Sequence, residues 1–570
     1  MHTRTSLRGM SFMDVIIGTA LMLIIFTALI GLLRTSLQVA SLAKTRSIAT
    51  TIAEGQMEYI RSLSYDQVGT VGGIPSGTIA QNASTTQNGI SFPIRTLIEY
   101  VDDPADGTGS GDANGITTDY KRIKVSVTYF ANNRSQTVDL VSNYAPPGLE
   151  TTTGGGTLKV IVVNATGAGV AGASVHVVNS SVSPAIDLTT FSDSLGVVFL
   201  PGAPTSTQYQ IGITKSGYSS AQTYARDATN QNPTPGYLTV VKNQTTTSTF
   251  AIDLLSNLNV HTFSPVATST FADTFSSGAG VASTNNTLVS GGAVRLTSDV
   301  NGYSLSGTVA STAQSPTYLA GWGTAVATTS LPGGTTIRFH VTNGAGVLLP
   351  DTALPGNASG FTSTASLSGL STSTYPTLAL SADLSTISTT TTPLLQDWSI
   401  SYARGPIPFP AVPFVLTGTK TVGSTGAGAP IYKTSVSNTT DASGNKTATL
   451  EWDGYTLALT AYDVVSACNA PPYSLSPGST SDTSLMVSTS TTNMILVSVR
   501  DTNGGVPGTS VTLSRSGFTK TVTTDSCGSA YFGSLSSASY DLTASKTGYT
   551  TFNVSGITIS GHVFYPVTME

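Results

Sequence analysis

The sequence predicts a mainly β chain behind one long N-terminal helix, with the β region divided into a string of small sandwiches. Three observations carry this. One run of mostly apolar residues, 15–33, is long enough to span a bilayer. Beyond it, short runs rich in Val, Ile, Thr and Tyr alternate in polarity with the period of strands and are punctuated by Gly, Asn and Pro. One ordered set of strand and turn motifs then recurs along the chain.

Composition narrows the classes. The chain has 570 residues, of which 39% are hydrophobic and 10% charged, with a net charge of −5. The charged share is well below the ~25% of ordinary soluble domains, but the hydrophobic and β-branched content argues against disorder. A single apolar run excludes a polytopic membrane protein. No basic patch stands out, so nucleic acid is not an expected partner. Two cysteines exclude a disulfide-dense scaffold and multi-cysteine zinc modules.

At the N-terminus, Arg4 and Arg8 precede Gly9, and Met10-Ser11-Phe12-Met13-Asp14 leads into the apolar run. At 1.5 Å per residue that run spans about 28 Å, close to the ~30 Å hydrocarbon core. Arg34, Lys44 and Arg46 follow it. A cleaved secretory signal carries its small-residue site after the apolar run, whereas here the small residue precedes it. A plain signal anchor is the alternative. The arrangement resembles the type IV prepilin leader. The resemblance implies that a prepilin peptidase cuts after Gly9 and that Met10 becomes the methylated first residue. Asp14 stands where the family usually has Glu. A carboxylate in an apolar helix is costly unless paired, and in such filaments it pairs with the N-terminal amine of a neighbouring subunit.

Leu42, Ile48, Ile52, Met57, Ile60 and Leu63 continue the helical spacing beyond the membrane. Residues 53–63 closely resemble the end of the long helix in minor pilins and pseudopilins. We therefore read 1–9 as leader, 10–66 as a transmembrane and pilin helix, and 67–146 as a small pilin-type β domain with strands at 92–101, 123–130 and 137–141. Its acidic loop carries Asp102, Asp103, Asp106, Asp112, Asn114 and Asp119. Such a mixture of carboxylates and tight turns suits a solvated loop, with calcium as the alternative because hard cations take oxygen ligands. No other cofactor is expected.

Pro- and Gly-rich residues 147–156 read as a linker. In the first repeat a strand at 158–163 is followed by Gly169-Val170-Ala171-Gly172-Ala173-Ser174-Val175, then Asp193-Ser194-Leu195-Gly196, Tyr209 and Lys215-Ser216-Gly217-Tyr218. The last repeat keeps the order, from 495–499 through Gly505-Val506-Pro507-Gly508, Asp525-Ser526-Cys527-Gly528, Tyr540 and Lys546-Thr547-Gly548-Tyr549. A degenerate copy opens at Phe414-Val415-Leu416-Thr417-Gly418 and continues through Asp441-Ala442-Ser443-Gly444 and Tyr455. The Asp and Gly of each copy suit a tight turn, and the Tyr suits the edge of a core. The pattern resembles the carboxypeptidase regulatory-like, or transthyretin-like, domain, which implies Ig-like β-sandwiches. The expected modules are 157–253, 405–490 (degenerate) and 491–570, with a jelly-roll-like sandwich at 254–404. Trp322 and Trp398 of that module read as core residues, with carbohydrate binding as the alternative.

No catalytic motif emerges. His2, His176, His261, His340 and His562 show no metal-ligand spacing, and no nucleophile elbow, phosphate loop or dinucleotide fingerprint occurs. A non-enzyme is expected. Cys468 and Cys527, in different repeats, read as one bridge in an exported chain, or else as two unrelated buried thiols. The resemblances together imply an exported minor pilin-like surface protein with structural and adhesive roles. It would be single-pass in the cytoplasmic membrane through residues 15–33 before assembly and displayed at the cell surface or pilus afterwards. Its partners would be other pilin subunits, a prepilin peptidase, and a surface polymer or another cell. A secretion-system pseudopilin and a carbohydrate-binding anchored protein are the alternatives.

Overall fold

The structure, a computed structural model, describes residues 12–105, 107, 116–131, 134–147 and 154–570. Gly9, Met10, Asp106, Asp112 and Asn114 lie outside the described residues, as does the side chain of Asp14. The chain forms two compact units, Met1–Leu255 with Lys420–Lys433, and Ser256–Thr419 with Thr434–Glu570. It is mainly β behind one long helix, as the sequence predicts.

In the first unit the helix Phe12–Arg61 runs for 50 residues, about 75 Å at the helical rise. Its last turns bury Ala49, Ala53, Met57 and Ile60. These pack with Ile123, Val125, Val127 and Tyr129, every second residue of the strand Tyr120–Ala131, because alternate side chains share one face of a sheet. The sheet is antiparallel and follows chain order: Asn82–Gln87, Ile90–Val101, Tyr120–Ala131, Arg134–Tyr144. Asn82–Gln87 is a strand the sequence does not announce, since Asn-Ala-Ser-Thr-Thr-Gln offers no apolar alternation.

The first sandwich completes this unit. Its opening strand Gly156–Val163 runs parallel to its closing strand Thr245–Ala251 over seven residue pairs and antiparallel to Val197–Ala203. The facing sheet places Ser174–Asn179 between Ile186–Phe191 and Ser206–Thr214. The hairpin of Thr421–Ser424 and Pro430–Tyr432 adds a small sheet with Asn232–Pro233.

In the second unit the last sandwich repeats this plan. Met494–Asp501 is parallel to His562–Thr568 over seven pairs and antiparallel to Ser529–Phe532. Ser510–Arg515 lies between Phe518–Thr523 and Ala538–Ser545.

The degenerate copy is a whole sandwich of the same plan, differently divided from the expectation. Pro413–Gly418 lies between Ser435–Thr439 and Asp453–Leu459, which is the position of the second strand, not the first. The opening strand is Ser256–Ser264, parallel to Thr480–Thr489 over seven pairs and antiparallel to Asn445–Leu450. The boundary read at residue 254 therefore cuts off this sandwich's first strand. The intervening module is an insertion between strands one and two, and the chain returns beside its point of departure, pairing Ser264 with Ile407 and Phe263 with Pro408.

Common hydrogen bonds show that the three sandwiches share one construction. Oδ1 of Asp193, Asp441 and Asp525 accepts the N–H groups of residues two and four ahead at 2.8–3.0 Å. Gly196, Gly444 and Gly528 close these turns at φ of +80°, +76° and +75°, where a Cβ is unfavourable. Tyr209, Tyr455 and Tyr540 are buried and donate their hydroxyls to the carbonyls of Pro204, Glu451 and Ser536 at 2.7–3.0 Å.

The inserted module has its own core of two facing sheets. One includes Leu319–Ser330 and Leu394–Arg404, and the other Thr335–Asn343 and Leu378–Thr386. Trp322 and Trp398 are 3% and 0% exposed and sit in that core.

Candidate functional site

The N-terminal helix is built from two kinds of surface. From Phe12 to Val39 its apolar side chains are exposed, Phe12, Leu23 and Leu32 among them. Thr19, Thr27 and Thr35 return their hydroxyls to the carbonyls of Ile16, Leu23, Ile24 and Gly31 at 2.8–3.0 Å, so these polar groups are satisfied without water. Among the described residues this is the one helix long and apolar enough to cross a membrane. Asp14 lies on it, in its first turn. The docked end is tied by Arg61, which pairs with Glu58 at 2.8 Å and donates to Ser142 at 3.0 Å.

Just past the helix, Lys121 is 2% exposed. Its ammonium donates to the carbonyls of Tyr65 and Val68 at 2.6 and 2.7 Å and lies 4.3 Å above the Tyr65 ring. Burial lowers its pKa to about 8, with Asp66 opposing the shift.

Three of the six acidic-loop residues are described. Asp102 and Asp119 are buried. The Asp103 N–H donates to Asp119 Oδ2, and Asp103 Oδ1 accepts the Ala105 N–H at 3.0 Å. The first of these bonds ties the two arms of the loop together, and the second turns the chain within the first arm. Among the described residues no group of three His, Cys, Asp or Glu side chains is placed to hold a metal ion. The described histidines are dispersed: His176 faces Asp187 at 2.7 Å, His340 faces Asp383 at 3.3 Å, and His261 lies 2.7 Å from Asn445.

The sheet face away from the helix carries a charged groove of 560 Å³ that the sequence reading missed. Cross-strand register aligns Glu99 with Arg122, Leu97 with Lys124, and Ser126 with Asp139. Lys124 pairs with Asp139 at 3.0 Å. Glu99 accepts the Thr190 hydroxyl at 2.8 Å, and burial pushes its carboxyl up. Arg95 donates to the Thr189 carbonyl and stacks 4.6 Å from the Phe191 ring. The alternation of charge along Arg122-Ile123-Lys124 was the available signal.

The last two sandwiches share a polar joint. Cys468 and Cys527 are brought together with Cα atoms 4.4 Å apart, joined as a disulfide. Ser529 Oγ accepts the Ala467 N–H at 3.1 Å and donates to its carbonyl at 3.2 Å. Beside them Asp463, 0% exposed, accepts from Thr491 N–H at 3.0 Å, Thr491 Oγ1 at 2.7 Å and Tyr531 Oη at 2.6 Å. His562 Nε2 lies 3.1 Å from its other oxygen. Burial, and then the bond to Asp463, push the Tyr531 hydroxyl up to about 12. A lone Asp in an ordinary strand gives no sequence signal of this role.

Residues 494–569, the last sandwich, match the carboxypeptidase regulatory-like domain family. No curated protein matches the chain. Among solved structures, the TIE protein of Bacillus anthracis is similar over 86% of this chain and 73% of its own, at 10% identity and a TM-score of 0.15. BcpA, the major pilin subunit of Bacillus cereus, is similar over 73% of this chain and 99% of its own, at 10% identity and a TM-score of 0.13. The full-length major pilin SpaD of Corynebacterium diphtheriae is similar over 73% and 97%, at 10% identity and a TM-score of 0.12. The likeness to these three structures is weak and broad.

Proposed function

We propose that this chain is a type IV pilin-like surface protein of the minor-pilin kind, with a structural and adhesive role and no catalysis of its own. A prepilin peptidase would cut after Gly9 and expose Met10, and residues 15–33 would hold the chain in the membrane. Other pilin subunits would then receive the helix, with Asp14 meeting a neighbour's N-terminal amine. The sandwiches would carry the contact with another cell or a surface polymer. The observation that supports this best is the single helix Phe12–Arg61. Its leading stretch is bare and apolar, and its closing turns are docked on a four-stranded sheet. A simple anchor needs only the leading stretch.

The test is intact-mass and N-terminal analysis of the protein from its own cells, with sheared filaments probed for the chain. A chain beginning at N-methylated Met10 and recovered with filaments is the expected result. An unprocessed Met1 on a protein confined to the membrane fraction would overturn the proposal.

A further inference from the structure

The chain enters each regulatory-like sandwich by its first strand and leaves by its last, and in all three those two strands are parallel neighbours. The pairs are Gly156–Val163 with Thr245–Ala251, Ser256–Ser264 with Thr480–Thr489, and Met494–Asp501 with His562–Thr568. In a parallel pair the start of one strand and the end of the other lie at opposite ends. A pull along the chain therefore slides one strand past the other and loads the whole ladder at once. An antiparallel hairpin pulled at its open end would instead unzip, its bonds breaking singly in turn.

The inserted module is connected differently. Its two chain ends lie side by side where Ser264 pairs with Ile407. Tension entering at Ser256 reaches it only after Ser256–Ser264 has been stripped from both Thr480–Thr489 and Asn445–Leu450.

We propose that the three regulatory-like sandwiches are the tension-bearing elements of the molecule, and that the module at 265–404 is held out of the line of tension as a protected passenger. This goes beyond the surface role proposed above and does not depend on which filament or membrane holds the chain.

The experiment is single-molecule stretching of the full chain in detergent, between handles at its two ends. Reductant is present so that the Cys468–Cys527 bridge does not shorten the released chain. The passenger's release adds roughly 140 residues, about 480 Å of extended chain. It is expected as a separate step that always follows rupture of the sandwich around it. A passenger step that comes first would overturn the proposal.

A second arm tests the sliding geometry. The Ile252 N–H donates to the Val163 carbonyl at 2.9 Å, so the strand period of two turns the Ser248 N–H toward the opening strand and the Thr249 N–H away. Ser248→Pro is expected to lower the rupture force of one sandwich by about half, by breaking the ladder mid-way, and Thr249→Pro to leave it nearly unchanged. Equal forces for the two variants would overturn the proposal. If Ser248→Pro does not fold, the order of release in the unaltered chain still decides.

Discussion

Asp463 is a carboxylate without solvent, and its oxygens are held by groups from the connection at Thr491 and from the last sandwich at Tyr531 and His562. Asp463→Ala strands those donors in a dry joint. The loss should be about 2 kcal/mol, read as a lower denaturant midpoint for the last two sandwiches, and a change within 0.5 kcal/mol, about the size of a neutral surface substitution, would show the joint to be solvated. Lys121 makes a prediction in pH. Folded, it releases its proton near pH 8, while the unfolded chain holds it to about 10.5. Unfolding in that window takes up a proton, so stability rises with pH. The unfolding midpoint of the N-terminal domain should climb from pH 8 to pH 9.5 relative to Lys121→Met. A difference that stays flat or falls would mean the ammonium is not buried in solution. At this scale the sequence was legible where a residue type has one habitual place: Trp322 and Trp398 read as core and lie in the core. It was mute for Asp463 and Lys121, because a charge buried in a strand looks like a charge on its surface until the facing element is known.

Turns and strands make the next set of expectations. Gly528 sits at φ +75°, and a Cβ there would meet the Val499 carbonyl and the Val506 N–H. Gly528→Ala should therefore destabilise the last sandwich by about 2 kcal/mol, visible as an earlier thermal transition for that module alone. An unchanged transition would mean the turn relaxes freely. The bridge of Cys468 and Cys527 closes 59 residues, worth about 4 kcal/mol in the chain-entropy model. Cys468→Ser should lower the guanidinium midpoint of the last two sandwiches, and reductant should do the same to the unaltered protein but not to the variant. If reductant leaves the unaltered protein unmoved, the thiols are free. The Asp and Gly turns and the Tyr positions could be read directly, since each needs a particular residue type. The order of strands in the degenerate copy could not. Phe414-Val415-Leu416-Thr417-Gly418 alternates as well for a second strand as for a first, and the true first strand lies across the whole inserted module. Asn82–Gln87 was invisible for the opposite reason: it is an edge strand held by its backbone, with no buried side chain to betray it.

For the molecule as a whole, the plan of a bare helix, a small sheet and a series of sandwiches was legible because each level repeats a simple period. What escaped was connection at long range, including the insertion and the charged groove on the outer sheet face. Periodicity reports which face of an element is buried and not which distant element buries it. The insertion also bears on how quickly the chain can be made. Ser256–Ser264 is synthesised long before Asn445–Leu450 and Thr480–Thr489, the strands that complete its sheet. An unstructured stretch of that length would leave a sticky edge waiting and raise the entropic cost of loop closure. A passenger that folds as soon as it emerges, with its two ends side by side, turns that long loop into a short one and favours closure by about 1 kcal/mol. The guest thereby acts as a folding aid to its host, and damage to the guest's core should appear first as slow maturation of a sandwich to which it contributes no strand.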